Sequence, residues 1–137
     1  MSRQREFKFI LNGKIPEACS DTLRWARWFE DVEKRRIAQE LVGDIWVSTV
    51  FLGIDHGWNK KTPILFETMC FTDKESADSL PFNRYATWDE AMAGHATDVM
   101  ICRAVVIASS EQSDNLMTRL RGAMEKQHGD KEVGKKD

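Results

Sequence analysis

The chain is poor in the residues that staple or interrupt small proteins: among 137 residues there are three cysteines, three prolines and one tyrosine. Cys19, Cys70 and Cys102 are odd in number, far apart and in no CxxC pairing, which excludes a disulfide framework and a structural zinc site as readings. Reduced thiols suit a cytoplasm. No uninterrupted apolar run approaches the roughly 18 residues of a spanning helix, and Met1 to Lys8 is polar rather than signal-like, so no membrane partner is expected. Charge of one sign is missing too. With 20 basic against 22 acidic residues the formal net charge is -2, which leaves no electrostatic footprint for nucleic acid. There is no HExxH, no HxH, no Gly-rich phosphate loop, no GxSxG and no histidine pair four apart. No metal and no cofactor is expected.

What is present, 42% hydrophobic and 31% charged residues, is the composition of one globular domain. Its organising stretch is Val47 to Phe71. Two runs rich in β-branched and aromatic residues flank a polar connector from Asp55 to Thr62, the pattern of antiparallel partner strands. Along the first, Val47, Thr49 and Phe51 alternate with Ser48, Val50 and Leu52; along the second, Ile64, Phe66, Thr68 and Cys70 alternate with Leu65, Glu67, Met69 and Phe71. Both faces of the first run carry apolar groups, so it belongs in the middle of its sheet. Gly53 suggests a bulge or a close approach of backbone.

Upstream, Phe7, Phe9 and Leu11 alternate up to Asn12-Gly13, the dipeptide of a type I′ hairpin turn, and predict a short strand or hairpin ended by Ile15 and Pro16. Ser20 and Asp21 offer caps for a helix. In it Trp25, Trp28, Phe29 and Val32 fall on one stripe, which reads as core packing against the sheet in preference to a ligand-stacking surface. Arg36 to Val42 suits a strand or one more helical turn; the turn at Gly43-Asp44 favours the strand.

Downstream, Thr72 to Leu80 has the composition of an exposed loop, and Pro81 to Ala86 that of a short extended segment. Thr87-Trp88-Asp89-Glu90 is a capping box opening a helix through Ala91, Met92, His95, Val99, Cys102 and Val106, with Gly94 allowing a close neighbour. Past Ile107 a second helix can restart near Asp114. The predicted architecture is thus α+β, an antiparallel sheet of about three to five strands packed against two main helices. Its compact domain spans residues 1–108, with a helical extension over 109–125 and a disordered tail over 126–137.

Candidate chemistry centres on Asp55, His56, Glu67 and His95. Two histidines and two carboxylates could perform acid/base work or hold a metal if the fold gathered them. Each also has a structural reading. Asp55-His56-Gly57 suits a plain turn, and His95 suits a core or boundary position. Glu67 either faces solvent, bonds a buried donor such as an indole N–H or an arginine, or works in a cleft. Trp58, Trp25 and Trp28 are the candidate binding residues.

The runs L-R-W-A-R-W-F-E (Leu23 to Glu30), V-S-T-V-F-L-G-I-D-H (Val47 to His56), L-F-E-T-M (Leu65 to Met69) and R-Y-A-T-W-D-E-A-M-A-G-H (Arg84 to His95) resemble a family of small uncharacterised proteins encoded by bacteriophages and prophages. The C-terminal part beyond Ile107 departs from the family's usual form. The resemblance implies an accessory phage product acting in the host bacterial cytoplasm and assigns no catalytic residue. The function expected from it is non-enzymatic binding of a host or anti-phage defence protein, or of a small molecule. Two other classes stay open: a small metal-dependent or acid/base hydrolase using Asp55, His56, Glu67 and His95, and a phage structural or assembly protein.

Overall fold

A computed structural model describes residues 5–57, 61–72, 80–109 and 116–133. The chain turns back first between β1 (Phe9–Asn12) and β2 (Ile15–Ala18), an antiparallel ribbon in which Asn12 pairs with Ile15. The turn is therefore Gly13-Lys14 rather than Asn12-Gly13. Gly13 has φ 63° and among the described residues no non-glycine has positive φ, so the glycine takes the first central position, as in a type II′ turn. The hairpin is present as expected, but Ile15 and Pro16 open its second strand instead of ending the first. Pro16 faces Leu11, one step beyond the turn-closing pair, where a hairpin strand directs its N–H outward and a missing donor costs nothing.

Helix α1 (Thr22–Glu30) starts where the Asp21 carboxylate accepts from the Arg24 amide at 3.1 Å. It stops one turn sooner than the tryptophan stripe suggests. Asp31 takes extended backbone and turns its carboxylate to the Glu33 amide, capping a second short helix, α2 (Val32–Arg35). Val32 consequently leaves the stripe and is 51% exposed.

Four strands follow as an antiparallel meander: β3 (Arg36–Val42), β4 (Ile45–Phe51), β5 (Phe66–Thr72) and β6 (Leu80–Tyr85), in that spatial order. The strand reading of Arg36 to Val42 holds, and Gly43-Asp44 makes the turn. Period-two alternation divides the sheet. Ile45, Val47, Thr49 and Phe51 of β4 and Phe66, Thr68 and Cys70 of β5 form one fully buried face. The opposite face carries Leu41, Trp46, Val50, Glu67, Met69 and Phe71. Most of the irregular segment expected at Thr72 to Leu80 lies outside the described residues.

The capping box forms as predicted: the Glu90 amide donates to Thr87 Oγ1 at 3.1 Å, and the Thr87 amide donates to Glu90 Oε1 at 3.1 Å. It opens α3 (Trp88–Ser109), which lies across all four strands of the meander. By length and composition α3 is apolar enough to cross a bilayer, with a mean hydropathy of 1.4, although no single unbroken apolar run signals it. Here it is the core helix, burying Ala91, His95, Asp98, Val99, Cys102 and Val105. Helix α4 (Leu116–Val133) returns along α3 and completes the same core with Met117, Leu120 and Met124. The C-terminal helix is thus part of the core. It also runs to Val133, where a disordered tail from Lys126 is expected. Lys, Glu and Gln are good helix formers, and elongation from an anchored helix needs no further burial. The architecture is α+β, with one two-stranded and one four-stranded antiparallel sheet.

Candidate functional site

Of the four residues singled out for chemistry, the neighbours Asp55 and His56 share Ile64 as a backbone partner, while Glu67 and His95 are engaged elsewhere. Asp55 Oδ1 accepts from the amides of Gly57 at 2.7 Å and Ile64 at 3.0 Å, and Oδ2 pairs with Arg5 at 2.9 Å. Asp55 therefore ties together both ends of the β4–β5 connector and the N-terminal arm. His56 donates its amide to the Ile64 carbonyl. Glu67, 7% exposed, accepts from Arg84 Nε at 2.7 Å across β5–β6; the donor is an arginine, but a half-exposed one rather than a buried group. His95 belongs to the other face of the sheet, since it bonds Thr49, whose hydroxyl in turn meets that of Thr68, the neighbour of Glu67 on β5. Glu67 and His95 thus stand on opposite faces. Among the described residues no group of three His, Cys, Asp or Glu side chains is placed to hold a metal.

His95 instead closes a hydrogen-bonded chain. Tyr85 Oη donates to Thr68 Oγ1 at 3.2 Å, the Thr68 and Thr49 hydroxyls are 2.7 Å apart, Thr49 Oγ1 is 2.8 Å from His95 Nδ1, and Nε2 is 3.2 Å from Glu40 Oε1. A carboxylate only accepts, so Nε2 carries a proton. With a neutral imidazole every hydroxyl then donates in the same sense, from Tyr85 through both threonines to Nδ1. A carboxylate, an imidazole and a hydroxyl in line are the parts of an activated nucleophile. Thr49 is fully buried, however, and neither Thr49 nor His95 lines any of the clefts described below. The chain is an interior strut.

Its surroundings are strongly desolvated. Burial, reinforced by the Asp98 charge, pushes the Tyr85 hydroxyl up to about 12. Beside it the Cys70 and Cys102 sulfurs lie 4.0 Å apart, and the hydrogen bond to Cys102, together with burial, holds the Cys70 thiol far above its ordinary value. Both thiols are buried in the core.

The tryptophans divide by role. Trp25 stacks on Phe29 with centroids 4.7 Å apart and donates its indole N–H to the Gly53 carbonyl at 3.0 Å, a packing role consistent with the close approach expected at Gly53. Trp58 lies outside the described residues. Trp28 reaches a cleft of about 360 Å³ bounded by Leu11 and Gly13 of the hairpin, Lys34 of α2, Arg36 and Ile37 of β3, and Trp88 at the start of α3. The two indoles are braced through the core. Trp28 stands edge-on to Phe51 (90°, 5.5 Å), Phe51 to Phe66 (65°, 5.3 Å) and Phe66 to Trp88 (87°, 6.4 Å). Lys14, at the hairpin turn, sets its ammonium 5.8 Å from the Trp88 centroid, beside a second hollow of about 290 Å³. From sequence, Trp88 reads only as part of a capping box and Arg36 only as the first residue of a strand, and Lys34 carries no signal of its own. Nothing local signals that they share a cleft.

A larger groove, about 550 Å³, runs between α3 and α4. Ile101, Ala104, Val105, Ala108 and Ala123 line it together with Arg119 and Lys126, and no carboxylate does. Comparison with protein-family models, with curated proteins and with solved structures returns no match.

Proposed function

We propose that the protein acts by binding rather than by catalysis, as a small phage-encoded accessory protein of the bacterial cytoplasm that engages a host or anti-phage defence protein. The groove between α3 and α4 is the observation that supports this reading. Its largely apolar lining admits a helical ridge, and the exposed Lys126 there favours a partner segment that is amphipathic and acidic. Asp55, Glu67 and His95 each bond a different partner, which favours binding over the hydrolase alternative.

The test places a photo-crosslinking side chain at Ala104, which is exposed, and expresses the protein in the bacterial host. The expected product is one covalent adduct with a host protein whose crosslinked segment is amphipathic and acidic. A synthetic peptide of that segment should bind the purified chain and lose affinity at least about tenfold when Ala104→Trp fills the groove. Adducts only with virion proteins would overturn the reading in favour of an assembly role. A peptide that binds Ala104→Trp equally well would remove the groove from it.

A further inference from the structure

We infer that the cleft between the β1–β2 hairpin, α2 and the start of α3 is a binding site for a small planar aromatic anion of about mononucleotide size. This stands independently of the α3–α4 groove, because different elements form it. Three properties of the cleft carry the inference, and they select different parts of one ligand.

The first is the indole pair. Trp28 and Trp88 come from distant segments, are only half-buried, and both line this one cavity. Each packs against the core on one side and keeps the rest of its surface on the cleft. The core contributes Phe51 and Phe66, both fully buried, set edge-on behind them. Indoles braced in this way lose little rotamer freedom when a flat ring stacks on them, so the site is organised before its ligand arrives.

Charge is the second property. Lys34 and Arg36 line the cleft and no carboxylate does. Arg36 shares one nitrogen with the exposed Glu33 at 2.9 Å, which leaves other guanidinium N–H groups to donate. Lys34 makes no ion pair among the described residues, and Lys14 adds a third cation near Trp88. The field in the cleft favours an anionic group and opposes a cationic one.

The third is size and lining. About 360 Å³ lies near the lower end of small-molecule sites, room for one ring system and one charged group but not for a folded peptide. Leu11 and Ile37 supply apolar edges that a bare inorganic anion cannot use. Ring and anion are therefore wanted together.

The experiment titrates the full chain, labelled at its indole N–H groups, with AMP, indoleacetate, adenosine and inorganic phosphate, following nuclear magnetic resonance and calorimetry in parallel. AMP or indoleacetate should move the Trp28 and Trp88 signals and leave Trp25 in place, while adenosine binds about tenfold more weakly than AMP and phosphate moves no indole. Lys34→Gln should weaken the anion about three- to tenfold and leave thermal unfolding unchanged, since Lys34 is exposed. This variant matters because Trp88→Leu could disturb the core. The inference fails if neither aromatic anion moves both indoles at millimolar concentration, if adenosine matches AMP, or if Lys34→Gln binds as the parent does. It also fails if a single-stranded oligonucleotide binds far more tightly than AMP, which would make the cleft part of a strand-binding surface.

Discussion

His95 Nδ1 lies 2.8 Å from Thr49 Oγ1, joining α3 to the central strand across 46 residues of sequence. The contact is useful because both partners are buried and each has another bond to keep: Thr49 to Thr68, and His95 to Glu40. Replacing Thr49 by valine keeps the shape and strands Nδ1 and the Thr68 hydroxyl. A stability loss of about 1–3 kcal/mol in urea unfolding is expected, and the same for Thr68→Val. The double variant should lose less than the sum of the two, since it removes both ends of one bond. Additive losses would contradict a connected chain.

Tyr85 gives a prediction in pH. Its ordinary value is 10.0 and burial raises it to about 12 in the folded chain. The folded state holds this proton more tightly than the unfolded state does. The stabilising contribution is therefore complete below pH about 10 and is lost as pH rises through about 12. Tyr85 is the single tyrosine, so phenolate absorbance reports it alone. The titration should sit near 12 in the native protein and return to about 10 in denaturant. Tyr85→Phe should flatten the alkaline fall in stability.

Gly94 lies against the Tyr85 ring, and a Cβ there would fall inside the van der Waals shell of the ring and its hydroxyl. Alanine in a helix ordinarily gains about 1 kcal/mol over glycine. Here the sign should reverse, with Gly94→Ala costing about 1–3 kcal/mol as the ring is forced off its Thr68 bond. Thermal unfolding checks this. Tyr85→Ala in the same chain should restore the ordinary helix preference.

The Glu67–Arg84 pair separates a structural carboxylate from a working one. The Glu67 side chain is 10% exposed and that of Arg84 51%, so cutting back the arginine leaves a poorly solvated carboxylate, while cutting back the glutamate leaves a cation that water can reach. Arg84→Ala should destabilise by about 2 kcal/mol and Glu67→Ala by less, with a coupling near 1 kcal/mol in the double-mutant cycle. Equal stability of all three variants would return Glu67 to the list of groups held for chemistry.

Local chemistry settled much of this molecule. Thr87 and Glu90 bond each other as a capping box needs, Asp21 caps α1, and alternation along Val47–Phe51 and Phe66–Cys70 assigns each side chain to a face of the sheet. These are interactions between near neighbours, so residue type and spacing are enough. The same reasoning misses at Val32, where Asp31 bonds an amide two residues on and ends a helix the apolar spacing would continue. It misses again after Lys126, where polar composition is compatible with a helix already anchored by Met117, Leu120 and Met124.

Which distant groups meet was decided only by the tertiary structure. Glu67 and His95 read alike as candidates, yet one register step places Glu67 and Thr68 on opposite faces of β5, and the carboxylate finds Arg84 while His95 finds Thr49. Trp28 and Trp88 carry no local mark of a shared role. They line one cleft because Phe51 and Phe66 pair across β4 and β5 and hold an indole at each end. A strand specifies its own alternation, but its partners are chosen by the burial of the whole sheet against α3, and that energy belongs to no single segment.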